Sequence, residues 1–523
     1  MGSVVSRESV PRKSVWRRSV SVRSVSRAVR WAVPSRRRRV RQRLGALVGA
    51  VDGVDVSGMS VEELLGRVDR YLCDPTPAKM WITLAVLTAD YPLAENVLES
   101  TRLSRLDGSG AVLMLAIFPK WFHRLSPVKK SVPVEVVRDQ VIVDVDHTST
   151  VDFATGIQRV VRETVKRWVR DHDPILVGWT PEKTGLRRLD PAARRTALTG
   201  AKTIAARSRR RSEALAGSFI VPMGGSYILP ELTLDRRVTM RLASLGETSG
   251  TECAAIGFDA VPLSSSETVD FMVSGGFANN LSAVKYMRRV VTISESAAQE
   301  YRGWRTMLKS AGLDGPDIRA CLLPHESPAP RTESMPDVEA LGAIPGMPLV
   351  LCVGSHEPRK NHLAVLQAAE GLWREGLRFQ LLFVGGNGWS GGLFAAKVAE
   401  LIDNGRPIAS VTALRDDLLS AAYQLADFTV FPSLNEGYGL PVVESLVAGT
   451  PVLTSDFGSM LEISRTGGAL YVDPRDDDAI MDGMRRLLVD PELRARLAEE
   501  CRRLPPRSWD EYATETWDYL VST

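Results

Sequence analysis

Glu436 and Glu444 stand eight positions apart in the stretch FPSLNEGYGLPVVESLVAGTPVLTS, residues 431–455. Pro441 suits a first helical turn, so one carboxylate falls in a loop and the other about one turn inside the helix that follows. Gly437 and Gly439 keep the loop small, and the free amides of the helix start, from Gly437 to Leu440, form a ready site for phosphate. The chemistry implied is recognition of a phosphate-bearing ligand whose hydroxyls the two carboxylates grip. Arg359 and Lys360, in VGSHEPRKNH at 353–362, offer two cations after another strand. Singly, these residues have bland accounts: a solvated turn for the basic pair, a helix cap and a surface charge for the glutamates. Together they point to a site.

Other patterns compete. GGNGWSGG, 385–392, holds both a GxGxxG match from Gly386 to Gly391 and a GxSxG match centred on Ser390. A hydrolase with that serine needs a histidine later in the chain, yet His123, His147, His172, His325, His356 and His362 all precede it. An NAD(P)-binding oxidoreductase built on the same glycine-rich loop wants an acid about twenty residues on, at the end of the next strand. The candidates Glu400 and Asp403 fall in the intervening helix, and this alternative leaves Glu436, Glu444, Arg359 and Lys360 without work. Asp144 to Asp146 and Asp476 to Asp478 have the spacing of a metal-binding pair. The first belongs to a strand end and the second to a turn before a helix, where capping accounts for it, so no metal and no cofactor are expected.

The elements that must position these groups follow from periodicity. With 523 residues, 44% hydrophobic and 24% charged, the chain can bury more than one core. Residues 1–43 carry fourteen of the 66 Lys and Arg and one of the 62 Asp and Glu, leaving a mildly acidic body behind a basic head. That head reads as a disordered tail, with an anionic membrane surface as a second reading and nucleic acid, not expected as a partner, as a third. From 44 to 130 the text reads as a helical accessory region. At Val136 it changes to short apolar runs alternating with amphipathic helices, the mark of parallel sheets covered on both faces: VIVDVD, PILVGW, SYILP, ECAAIGFDAVP and RRVVTISES. A second series follows the Pro and Gly of AIPGMP: MPLVLCVG, FQLLFVGG, IASVTA, FTVFPS and TPVLTS. The basic stretch from Arg188 to Arg211 is a helix or a loop. Five scattered cysteines build no zinc or disulfide framework, which fits a cytoplasmic location, and no run is long and apolar enough to span a membrane.

EGYGLPVVE followed by AGTPVLTS, joined by VGSHEPRKNH and a terminal SWDEYATETWDYL, resembles the family 4 glycosyltransferases. The resemblance runs from about 136 to 520, dense in the second half and thin in the first. It implies the α/β GT-B fold: two facing Rossmann-like, doubly wound domains, 136–335 for the acceptor and 345–500 for the donor nucleotide, with 501–523 crossing back to the first. It also implies a retaining, metal-independent transfer of a hexosyl or deoxyhexosyl group from a nucleotide-diphosphate sugar. The basic head before an acidic body suits work at the inner membrane face, so the acceptor expected is a glycan or lipid-linked saccharide, as in polysaccharide or cell-envelope biosynthesis, with the chain cytoplasmic or peripheral at that face. Carried over, Arg359 and Lys360 hold the diphosphate, Glu436 steadies the transferred sugar, and Glu444 binds the ribose. Gly354, Gly386, Leu414, Gly437, Tyr438, Gly439 and Leu440 belong to the donor side, with Ala413 beside Leu414 at the base. Gly156, after Thr155, and Asp259 belong to the acceptor side. The chain departs from the family pattern in having one glycine in HTSTVDFATGIQRVV, and Phe258 where His or Tyr is common. Ser294 and Glu295 in TISES match a strand end facing the cleft, though a helix cap explains Ser294 equally well. An inactive binding protein of the same fold is the remaining alternative, and loss of Glu436 or Lys360 would mark it. Both residues are present.

Overall fold

The computed structural model describes residues 34–107, 132–151, 156–200, 217–326, 344, 346–386, 388, 391–412 and 414–522. Two compact units divide the chain, Met1–Val136 and Val137–Thr523.

Among its described residues the first unit contains four helices, α1 (Pro34–Asp52), α2 (Val61–Tyr71), α3 (Pro77–Thr88) and α4 (Ala94–Asp107). A reciprocal cap starts α2: the Ser60 hydroxyl accepts from the Glu63 amide at 3.2 Å, and the Glu63 carboxylate accepts from the Ser60 amide at 2.7 Å. The apolar text of α3 is buried from Met80 to Thr88. The sequence reading placed 34–43 in a disordered tail, and this is corrected. Those residues open α1, because Val40, Leu44, Leu47 and Val48 recur on one face and are buried. Arg43, itself buried, donates to the Leu87 carbonyl at 2.8 Å. Residues 1–33 and 108–131 lie outside the described residues, and with them the rest of the basic head and the end of the helical region.

The chain continues with β1 (Val134–Arg138) and β2 (Val141–Asp144), then α5 (Gly156–His172), β3 (Ile175–Trp179), β4 (Leu186–Arg188), α6 (Pro191–Thr199), β5 (Phe219–Met223), β6 (Ser226–Leu229), α7 (Arg236–Thr248), β7 (Glu252–Gly257), α8 (Phe271–Val284), β8 (Arg289–Thr292), α9 (Glu295–Leu308) and β9 (Asp317–Ala320). Its sheet has the order β1-β5-β4-β3-β2-β6-β7-β8-β9. Across the sheet from β3 through β2, β6, β7 and β8 to β9 neighbouring strands run parallel, and β4 lies antiparallel between β3 and β5. Of the basic stretch 188–211, Pro191–Thr199 is helical and 201–216 lie outside the described residues.

A second sheet follows: β10 (Leu349–Val353), α10 (His362–Arg374), β11 (Gln380–Val384), α11 (Gly392–Asp403), β12 (Ile408–Val411), α12 (Asp416–Leu425), β13 (Phe428–Phe431), α13 (Leu440–Val447), β14 (Val452–Ser455), α14 (Gly458–Ser464), β15 (Ala469–Val472), α15 (Asp477–Val489) and α16 (Pro491–Cys501). All its pairings are parallel, in the order β12-β11-β10-β13-β14-β15. QLLFV, FTVF and VLTS are buried along their whole length, because helices cover both faces. The strand order reverses between β10 and β13. Ligands of such sheets bind beyond the carboxyl ends of the strands at that reversal, which here carry the loops 354–361 and 432–439.

After α16 the chain returns to the first sheet as α17 (Trp509–Val521). Trp168 of α5 donates to the Ala513 carbonyl at 2.9 Å, and the His172 ring stacks on Trp517 with centroids 4.1 Å apart. The crossing helix thus begins at Trp509, since Cys501 still belongs to α16. No helix among the described residues is long and apolar enough to cross a membrane.

Candidate active site at the carboxyl ends of β10 and β13

Sequence and local geometry place the basic pair first. After β10 the backbone makes one tight turn, Pro358–Lys360, and Asn361 follows in the left-handed conformation at φ 59°. The loop after β13 lies against this turn: the Leu434 amide and the Ser433 hydroxyl both donate to the Arg359 carbonyl, at 2.8 and 2.9 Å. Two loops 76 residues apart are thereby joined by backbone. Their side chains then meet.

Glu436 is the centre of that meeting. Its side chain is 9% exposed, and it receives the Lys360 ammonium at 2.6 Å on one oxygen and the Arg359 guanidinium at 2.6 Å on the other. The Ser433 hydroxyl adds a third donor at 2.7 Å. Burial alone would raise this carboxyl, but Arg359 and Lys360 overcome it and hold Glu436 at about 2. The Lys360 ammonium also lies 4.8 Å from the centre of the Phe431 ring. Glu436 is therefore a fixed anion, held rigid between two cations.

One strand end further, Gly439 enters α13 at φ 101°, a conformation that suits glycine. Gly437 is needed for a different reason: a Cβ there would sit 2.5 Å from the Phe258 carbonyl oxygen and 3.0 Å from the Asp259 carboxylate. This is where the two sheets' loops touch. Ser294 confirms it, donating to the Gly437 carbonyl at 2.6 Å while its oxygen caps α9 by accepting from the Ala297 amide at 2.9 Å. Both sequence readings of Ser294 therefore hold. The Glu295 amide donates to the Glu462 carboxylate of α14 at 2.8 Å.

Glu444 lies one turn inside α13 and is buried. Tyr423 donates to one of its oxygens at 3.0 Å, and Arg159 of α5 to the other at 2.6 Å. Gly156, at the start of α5, has the Leu440 side chain 3.5 Å from where its Cβ would be. The Tyr438 hydroxyl donates to the Leu323 carbonyl at 2.8 Å within the core, so this residue can face a ligand only through its backbone. Gly354 follows β10, and Gly386, after β11, accepts from the His356 amide at 2.9 Å. Leu414 lies before α12, partly buried against the small core that covers the β10–β11 face. Thr155, Ala413 and Ser390 lie outside the described residues.

Asp259 follows β7 on the opposite wall. Burial raises its carboxyl, Arg359 pulls it back, and Glu300 and Glu436 push it up again, to about 6. A carboxyl raised on folding binds its proton more tightly in the folded chain than in the unfolded one. Its stabilising contribution is full below the unfolded value of 3.8 and is lost as pH rises through about 6. Asp259→Asn should therefore show a shallower fall in unfolding free energy between pH 4 and 6 than the parent chain, read by urea denaturation at each pH. Identical slopes would remove Asp259 from the account. Glu231, raised to about 8 first by burial and then by Asp144, contributes a fall of the same sign over a wider window in both proteins.

The aspartate pairs are otherwise engaged. Asp144 accepts from the Trp179 indole at 2.7 Å and the Tyr227 hydroxyl at 2.6 Å, and Asp146 pairs with Lys183. Asp476 caps α15, accepting from the Ala479 amide at 3.0 Å. Glu400 and Asp403 lie in α11, so the glycine-rich loop has no acid at the end of β12. Sequence reasoning missed Arg159, Tyr423, Ser433, Asn435 and Glu300. Asn435 donates to the Ser264 hydroxyl at 3.0 Å and lies near Glu300, linking the walls once more. Only Arg159 left a signal, as the fourth residue of the GIQR helix start.

Residues 337–504 match the family described as Glycosyl transferases group 1. The serotype-specific mannosyltransferase WbdA of Escherichia coli is 29% identical over 189 residues, 34% of this chain and 22% of that protein. The O-antigen chain mannosyltransferase B of Escherichia coli is 32% identical over 171 residues, 32% of this chain and 44% of that protein. The chain thus spans less than half the length of either relative. Among solved structures, the sucrose-phosphate synthase of Thermosynechococcus elongatus superposes with a TM-score of 0.51 at 17% identity, over 72% of this chain and 97% of that one. An Anabaena protein in complex with UDP and glucose gives 0.50 at 10% identity, over 73% of this chain and all of that one (100%). The fold these comparisons share is GT-B.

Proposed function

We propose that the chain is a retaining glycosyltransferase, a reading supported by the match of residues 337–504 to the family described as Glycosyl transferases group 1 and by the GT-B fold. It takes a hexosyl or deoxyhexosyl group from a nucleotide-diphosphate sugar and passes it to a glycan or lipid-linked saccharide in the cytoplasm. The observation that carries the reading is Glu436, locked between Arg359 and Lys360 at the strand-order reversal, with Glu444 one turn into the following helix. The two mannosyltransferase relatives support a polysaccharide acceptor.

Each group has a step to perform. As the glycosidic bond to phosphate breaks, negative charge grows on the departing diphosphate, and Arg359, Lys360 and the amides at Gly437 to Leu440 are fixed donors for it. Positive charge grows at the anomeric carbon. Glu436, anionic at any working pH, stabilises it and accepts from sugar hydroxyls. Departure and attack on one face of the sugar retain configuration without a protein nucleophile, and the leaving phosphate oxygen takes the acceptor's proton. Glu444 accepts from the ribose hydroxyls, and Leu414 borders the base. Asp259 and Gly156, on the other wall, face the acceptor.

Melting temperatures of the full chain with UDP-, GDP-, dTDP- and ADP-sugars, and with NAD and NADP, test this. A ligand at a hundredfold excess over its dissociation constant stabilises by about 2.7 kcal/mol. A rise with one sugar nucleotide that disappears in Lys360→Ala is expected. A response confined to NAD or NADP would overturn the reading in favour of a dinucleotide on the loop 385–392.

A further inference from the structure

The Arg159–Glu444 pair is not explained by the roles above. Its partners lie 285 residues apart, one on each α/β sheet's helices, and meet at 2.6 Å. The pair joins the first turn of α5 to the second turn of α13. With Tyr423 on the other oxygen, each carboxylate oxygen of Glu444 already accepts one bond. Each oxygen can accept a second bond, but a ribose diol reaching both oxygens of the same carboxylate competes with these donors for the approach. Tyr423 is buried within the second sheet's own core, whereas the Arg159 side chain is 30% exposed and enters from the opposite wall. Arg159 is the donor free to leave.

Where it goes follows from the helix geometry. Leu440, at the amide-rich start of α13, lies four residues before Glu444, about 6 Å along the axis. Gly156, in the same first turn of α5 as Arg159, already abuts the Leu440 side chain. A guanidinium on a long side chain spans one helical turn by rotation alone. Diphosphate oxygens at the start of α13 would attract it with two charges against the single charge of Glu444.

Resting on the nucleotide-sugar reading, we infer that Arg159 is a donor-binding residue that exchanges partners. It pairs with Glu444 as the structure shows, yields that carboxylate to the ribose hydroxyls when donor binds, and moves to the donor diphosphate. The first sheet would thereby contribute a cation to a site otherwise built from the second, and donor occupancy would become a contact between the two walls.

Calorimetric titration of the full chain with uridine, UDP, guanosine and GDP separates the two halves of the exchange. In Arg159→Gln the nucleoside no longer competes with a guanidinium, so it should bind about threefold to tenfold more tightly. The same variant lacks a charge-assisted contact to phosphate, so the advantage of diphosphate over nucleoside should shrink about tenfold or more. Arg159→Lys should keep most of that advantage. Unchanged or weaker nucleoside binding in Arg159→Gln would overturn the competition. A tighter nucleoside with an unchanged diphosphate advantage would overturn the exchange. Absence of binding by any of the four probes to the parent chain would instead bring down the nucleotide-sugar reading, and this inference with it.

Discussion

Lys360→Ala is expected to lower kcat by about a hundredfold to a thousandfold, the usual cost of removing one fixed donor from a developing negative charge. Two features raise the expectation above that of an ordinary lysine. Its side chain is 8% exposed and its ammonium is held by Glu436 and the Phe431 ring, so it is already where the reaction needs it. Its loss leaves that oxygen of Glu436 held by the Ser433 hydroxyl alone, so the carboxylate shifts toward Arg359 and away from the position that stabilises the anomeric carbon. Truncation of one partner in a buried ion pair also costs stability. The rate must therefore be normalised to the folded fraction. Arg359 and Ser433 remain on Glu436, which limits the folding loss. A variant that folds and turns over within a factor of about three of the parent, well below one lost charge contact, would show that the basic pair is structural.

How much of this site the sequence reveals depends on how local each contact is. Glu436, Glu444 and the glycines between them are legible because one helix start sets their spacing, and helix starts have sequence rules. Arg359 and Lys360 are legible as adjacent charges after a strand. That they grip Glu436 is not, because it depends on β10 and β13 being neighbours across 76 residues. Arg159 is harder still. Its helix reads as amphipathic, and one arginine on a basic helix looks like solvated charge until α5 and α13 are brought together.

The same reasoning accounts for the fold. The central parallel strands are short runs of buried aliphatics and were visible. LRR of β4 and FIVPM of β5, which extend the first sheet in the antiparallel sense, are too short or too irregular for any period to show. The start of α1 was hidden for the opposite reason. Four consecutive arginines, Arg36 to Arg39, resemble a tail, and the buried face only becomes apparent from Val40 onward.

Gly437→Ala should damage stability and turnover together. The added carbon would lie 2.5 Å from the Phe258 carbonyl oxygen, and also 3.0 Å from the Cβ and a carboxylate oxygen of Asp259. The nearest obstacle is backbone, which cannot rotate away, and overpacking of this kind costs about 1–3 kcal/mol. The alternative is for the two walls to part at this point, and that would break the Ser294 contact to the Gly437 carbonyl and draw Tyr438 from its bond to Leu323. Either response displaces Glu436, one residue earlier. Loss of stability by urea denaturation and a fall of more than about tenfold in kcat should therefore appear together, since misplacement by 1 Å alone can cost a hundredfold. Gly303→Ala in α9 is the matched control, because its Cβ would meet nothing within 4 Å and alanine is the better helix residue by about 0.5–1 kcal/mol. If Gly437→Ala behaved like Gly303→Ala in both stability and rate, the walls would not meet at Gly437 in the working protein, and the contact that brings Asp259 and Arg159 to the donor loops would be lost from the mechanism.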